Sequence, residues 1–216
     1  SKKTRGFGYI FEEAIKIASF AEIGFHSMAA HLSEYEISKL NIEPYESIRG
    51  QLKSGDLIFC CGRSLFSRII KRFTNSTFSH CGMVFRVESI DRIMVLESGR
   101  NGGVHLTPLS FYTKTYPGKV MLARLSEDIQ PDSLTKIFSF GFDQLTRPYD
   151  KRELIRIVKR MLFNAGRRIK NRSFVCSELV YDCFAKGNIL FEYENKVILP
   201  DYIWDDIKVN QIARIK

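Results

Sequence analysis

The chain has 216 residues and a mass of 25.0 kDa, enough for one domain with a sizeable core, or one domain plus an added helical segment. Hydrophobic residues make up 44% and charged residues 26%, which excludes a disordered, collagen-like or coiled-coil chain. The formal net charge is +9, an excess that points to anionic partners or to a solvated basic face.

In chain order, residues 9–30 read as an amphipathic helix. Ile10, Ala14, Ile17, Ala21, Phe25 and Met28 recur at three- and four-residue steps. This is also the most apolar stretch, but Glu12, Glu13, Lys16 and Glu22 interrupt it, so no spanning helix is expected. Ser33 to Ser47 reads as a short helix and connector broken at Pro44. Residues 1–49 are therefore expected to form a helical extension, and 50–216 the main domain. Lys53-Ser54-Gly55-Asp56 is a turn, and Leu57 to Cys60 an apolar run suited to a buried strand. Ser64 to Phe73 predicts a helix. Strands are expected at residues 80–87, 93–97, 104–106 and 119–125, joined by short turns. That makes a mostly antiparallel sheet of about five strands.

The last third reads as helical, so the fold class is α+β. Pro131 opens one helix, with Leu134, Phe138, Gly141 and Leu145 on one face. A second covers roughly 151–163, and a third runs from Ser173 to Lys186 and stops at Gly187. From Arg147 to Arg172, ten basic residues face only Asp150 and Glu153. This stripe is either a solvated helix face or a contact for an anionic membrane surface. No zinc-finger spacing or RNA-binding aromatic motif accompanies it, so no nucleic acid is expected.

The five cysteines (Cys60, Cys61, Cys81, Cys176, Cys183) are odd in number, with no CxxC pair. Neither a disulfide framework nor a structural metal site is expected, and no cofactor. Free thiols suit a reducing compartment, so the expected location is the cytoplasm or a peripheral membrane surface. A removed leader would move that expectation to the periplasm.

Cys176 lies near the start of the predicted third helix, in Ser-Phe-Val-Cys-Ser-Glu-Leu-Val. Unpaired N–H groups and the positive end of the helix dipole favour its thiolate and can hold an oxyanion. Cys183, two turns on, reads as core. His80 begins a strand and Glu97 ends its neighbour. If the two pair through the turn at 88–92, the side chains meet, and a carboxylate fixes the imidazole tautomer. His80, Glu97 and Cys176 thus form a candidate base, orienter and nucleophile.

The segments Lys53 to Phe59 and Phe73 to Val84 resemble the opening of the YiiX/YaeF-like permuted papain-fold hydrolases. That group consists of circularly permuted relatives of NlpC-type peptidases and is similar to lecithin:retinol acyltransferase-like proteins. Val95-Leu-Glu-Ser-Gly, Gly103 to Ser110, Arg147-Pro-Tyr-Asp and Phe174-Val-Cys-Ser-Glu-Leu-Val match further segments in the same order, over about residues 40–205. The resemblance implies a circularly permuted papain-like fold with an extra N-terminal helix. It puts the catalytic histidine on His80, its acidic partner on Glu97 and the nucleophile on Cys176. Tyr149 and Ser177 follow as substrate-binding candidates, and His105 lies where the family does not place its base. The implied activity is a cysteine amidase or peptidase working through an acyl-enzyme on a small-molecule, peptide or acyl-lipid substrate. The alternatives are an acyltransferase or thioesterase at a membrane surface, and a silent binding module.

Overall fold

A computed structural model describes residues 32–99, 102–149, 175–192 and 198–216. The helix expected over 9–30, nearly all of the basic stripe and the helix at 151–163 lie outside the described residues. The chain divides into two compact units, Ser1–Ala30 and His31–Lys216, and the sheet belongs to the second.

That unit begins with two short helices, α1 (Glu34–Lys39) and α2 (Tyr45–Ile48). Ser33 caps α1: its hydroxyl accepts from Glu36 N–H while the Glu36 carboxylate accepts from Ser33 N–H. The strands are β1 (Leu57–Gly62), β2 (His80–Val87), β3 (Arg92–Gly99), β4 (Gly103–Pro108), β5 (Gly118–Leu125) and β6 (Val209–Arg214). They form a six-stranded sheet in the order β4-β3-β2-β1-β5-β6, with every neighbouring pair antiparallel. The sheet therefore has one strand more than the sequence predicts. β6 is an edge strand, Val-Asn-Gln-Ile-Ala-Arg, with little burial on either face and a bulge opposite Leu122/Ala123. Such a strand carries no apolar alternation to read.

β1 is central and buried along its whole length, which explains its unbroken apolar run. It separates two cores. On one face Ile48, Leu52, Ile58, Val84, Val95 and Tyr112 pack together. On the other, Leu57, Phe59, Met83 and Leu96 meet the helices α5 (Pro131–Asp143) and α6 (Cys176–Lys186). α6 buries Leu179, Val180, Cys183 and Phe184 against β2, β3 and α5. Each such side chain contributes about 1.5–3 kcal/mol on burial. Between β1 and β2 lies α3 (Leu65–Thr74), capped by Ser64, whose hydroxyl accepts from Ser67 N–H at 3.1 Å. Two short helices were not legible in the sequence: α4 (Leu109–Lys114) and α7 (Pro200–Trp204).

Gly103 starts β4 at φ +66°, and a Cβ there would collide with the Arg147 carbonyl oxygen. Val104 N–H donates to that oxygen at 2.9 Å, and Thr146 N–H returns a bond to Val104 O at 2.9 Å. The chain after α5 is thereby pinned to β4, the edge strand beside the one that carries Glu97. No described helix is long and apolar enough to cross a membrane.

Candidate active site

His80 stands at the first position of β2, and its place is set by the loop before it. Asp201, buried at the start of α7, accepts from Thr77 N–H at 2.6 Å and from Phe78 N–H at 3.0 Å. The Ser79 hydroxyl accepts from Gly62 N–H at 3.0 Å and donates to Cys60 O at 3.2 Å. Phe78 and Trp204 stack on Phe59 with centroid separations of 5.2 and 5.1 Å, closing the clamp. Replacing Asp201 with alanine strands one buried and one half-buried amide, so D201A is expected to lose about 1–3 kcal/mol in urea unfolding. D201N, which keeps one carbonyl acceptor, should recover part of it. Equal stability of D201A and wild type would remove Asp201 from this role.

The antiparallel pairing of β2 with β3 carries Glu97 to His80, as expected from the turn at 88–92. Gly82 clears the path: a Cβ there would meet Val95 Cγ1 at 2.7 Å and Glu97 Cβ at 3.2 Å. His80 Nε2 bonds Glu97 Oε2. The same oxygen accepts from the Tyr112 hydroxyl at 2.5 Å, and Thr107 donates to the carboxylate as well. His105 approaches from the far side, with Nε2 at 3.6 Å from Glu97 Oε1, while its Nδ1 lies 2.8 Å from Gly103 O. Burial raises the Glu97 pKa, but the His80 charge and these hydrogen bonds outweigh it and hold the carboxyl down at about 2. Glu97 therefore stays ionised.

Cys176 is the first residue of α6, after Val175 in extended conformation (φ −89°, ψ 161°). Two residues lower its pKa. The largest influence is the Cys81 side chain, which hydrogen-bonds it, followed by the His80 imidazole; the Cys81 backbone amide adds a third. Together they overcome burial and hold the Cys176 thiol well below the usual thiol range. Burial also opposes charge on His80, yet the Glu97 carboxylate and the bond to Cys176 push its pKa up to about 10. The arrangement favours a thiolate–imidazolium pair. Cys60, Cys61 and Cys183 are pushed the other way, chiefly by burial.

The fold thus brings His80, Glu97 and Cys176 together. Tyr149 packs with Tyr202 against Val175 and Leu199, next to Cys176 in sequence. Ser177 is buried, and its hydroxyl donates to Ile198 O at 2.7 Å, tying α6 to the segment before α7. Tyr112 and Cys81 were not singled out in the sequence. Tyr112 follows Pro108-Leu109 by one helical turn. Cys81 adjoins His80, but strand alternation alone points it away from that histidine.

The model for the permuted papain-like amidase enzymes, YaeF/YiiX, C92 family, matches residues 51–210. No curated protein matches the chain. Among solved structures, it is similar to that of the metalloprotein yiiX from Escherichia coli O157:H7, with a TM-score of 0.60 and 20% identity. The match covers 76% of this chain and 98% of that one, a likeness of fold. Among the described residues here, no three His, Cys, Asp or Glu side chains converge as a metal site. The family match spans about three quarters of the sequence and contains every element that carries the cluster, so the chain belongs to the permuted papain-like amidase family of YaeF and YiiX.

Proposed function

We propose that this amidase hydrolyses a peptide or N-acyl amide through Cys176, His80 and Glu97. The observation that carries the reading is the bonded His80–Glu97 pair on β2 and β3, with a cysteine at the N-terminus of the helix packed on those two strands. Cys176 Sγ attacks the carbonyl carbon. The oxyanion accepts from the Cys176 N–H, which lies in the first turn of α6 where no helical carbonyl is available to it. The His80 imidazolium gives its proton to the leaving amine, and an acyl-enzyme remains. Neutral His80 then takes a proton from water, which attacks the thioester and releases the acid. Glu97 keeps its charge throughout and supports the imidazolium. Tyr149 walls the substrate beside Val175, while Ser177 acts indirectly by anchoring α6. An amine or alcohol in place of water would turn the same intermediate into acyl transfer.

The test is the pH dependence of iodoacetamide alkylation, read at each of the five cysteines by mass spectrometry. Cys176 is expected to label first and already at pH 6, because its thiolate is stabilised below the ordinary thiol range. The selectivity should persist until His80 loses its proton near pH 10. Labelling of Cys176 no faster than Cys60 or Cys183 at pH 7 would sink the nucleophile assignment.

A further inference from the structure

The register of the sheet carries a second histidine to Glu97. His105 on β4 pairs directly with Glu97 on β3, so the two side chains leave the same face of the sheet. His105 Nδ1 lies 2.8 Å from Gly103 O. A carbonyl oxygen only accepts, so Nδ1 carries the proton of that bond. Nε2 is then bare in the neutral ring, and it faces Glu97 Oε1 at 3.6 Å. Two glycines leave room for this pose: a Cβ on Gly99 would lie 2.9 Å from His105 Cε1, and one on Gly102 3.1 Å from Nδ1. Glu97 gives its other oxygen, Oε2, to His80 and Tyr112. The His105 side chain is 38% exposed and that of Glu97 6%, so water reaches the ring far more readily than the carboxylate.

We propose that His105 is a positioning residue that, once protonated, competes with His80 for Glu97 and so lowers the reactivity of Cys176 in acid. This rests on the reading of Glu97, His80 and Cys176 as the catalytic set. With Nδ1 engaged, an added proton has one place to go, Nε2, the atom that faces Glu97. The neutral ring turns a lone pair toward Oε1; the protonated ring turns an N–H and a positive charge toward it. That charge opposes a second one on His80, which shares the same carboxylate. The His80 imidazolium loses part of its counter-charge, and the Cys176 thiolate weakens with it. Few other charged or titratable groups border β4 among the described residues. β3 also carries Arg92, at its opposite end. α4 carries Tyr112, already bonded to Glu97, and Lys114 in its last turn. The segment after α5 carries Arg147, whose carbonyl meets Val104 N–H.

The experiment follows Cys176 alkylation by iodoacetamide from about pH 5 to 8, the range in which imidazoles ordinarily change charge. His80, held protonated to about 10, gives no step of its own there. Wild type is expected to slow by about 3-fold or more toward acid, the effect of moving one pKa by half a unit. The midpoint of that step should coincide with the titration of the His105 ring protons in NMR spectra. H105Q, neutral throughout, and H105F should lose the step, and the ratio of rates at the two ends of the range cancels any uniform loss. If both variants fold poorly, coincidence of the two wild-type midpoints still decides. A step that persists in folded H105Q, or a wild-type rate that stays level while His105 titrates, overturns the inference; selective labelling of Cys176 at pH 7 in the same samples leaves the catalytic set intact. Labelling of Cys176 no faster than Cys60 or Cys183 at pH 7 overturns both.

Discussion

Replacing His80 with alanine is expected to lower amide turnover by on the order of 10⁴-fold or more, the effect of removing the base from a nucleophile–base pair. The same change should erase the selectivity of Cys176 for iodoacetamide. Of the groups that stabilise the thiolate, His80 alone supplies a full positive charge, while Cys81 offers neutral donors. H80A also strands Glu97, which is 5% exposed and would keep only hydroxyl donors and the more distant His105. A buried charge without its partner costs about 3–5 kcal/mol, so loss of turnover must be separated from loss of fold. H80Q does this. Its amide can still donate to Glu97 but cannot accept a proton at neutral pH. Thermal melts and hydrolysis of a panel of peptidyl and N-acyl 4-nitroanilides, run on both variants, give the comparison. A folded H80Q protein that keeps wild-type turnover would remove His80 from the chemistry.

The second large effect is expected at Glu97. E97Q preserves size and can still accept from Tyr112, yet it takes the negative charge away from His80. Glu97 is the leading influence that raises the His80 pKa against burial. Without that charge the imidazolium becomes less stable and the His80 pKa falls. The Cys176 thiolate then loses its counter-charge, and its own pKa rises. The pH midpoint of Cys176 alkylation should therefore move upward by at least about one unit. Turnover should fall by on the order of 10²–10⁴-fold, the range for a base that loses its orienting carboxylate. A changed alkylation midpoint with unchanged turnover would restrict Glu97 to electrostatics. An unchanged midpoint would show that His80 does not depend on its charge. Tyr112 offers an internal control: Y112F removes one donor to the carboxylate but leaves the Glu97 charge beside His80, so the midpoint should not show the upward move expected of E97Q.

What the sequence determined by itself was local. The strand at His80–Val87 and the helix end at Lys186 follow from apolar runs, β-branched residues and a stop at Gly187. The α+β class followed from the order of those elements. The pairing of His80 with Glu97 was legible because a turn of only four residues joins their strands, which leaves little choice of register. β6 and α7 were not legible. Val209–Arg214 is a half-solvated edge, and Pro200–Trp204 is too short to show a period.

Only the tertiary structure brought Cys176 to His80, across nearly a hundred residues of sequence. No periodicity records where α6 settles on β2 and β3; burial of Leu179, Val180, Cys183 and Phe184 decides it. The aromatic clamp of Trp204, Phe78 and Phe59 held the loop that presents His80. Spacing encodes what neighbours along the chain can do. Contacts between distant elements depend on which apolar faces fill one another, and that is settled by the whole core at once.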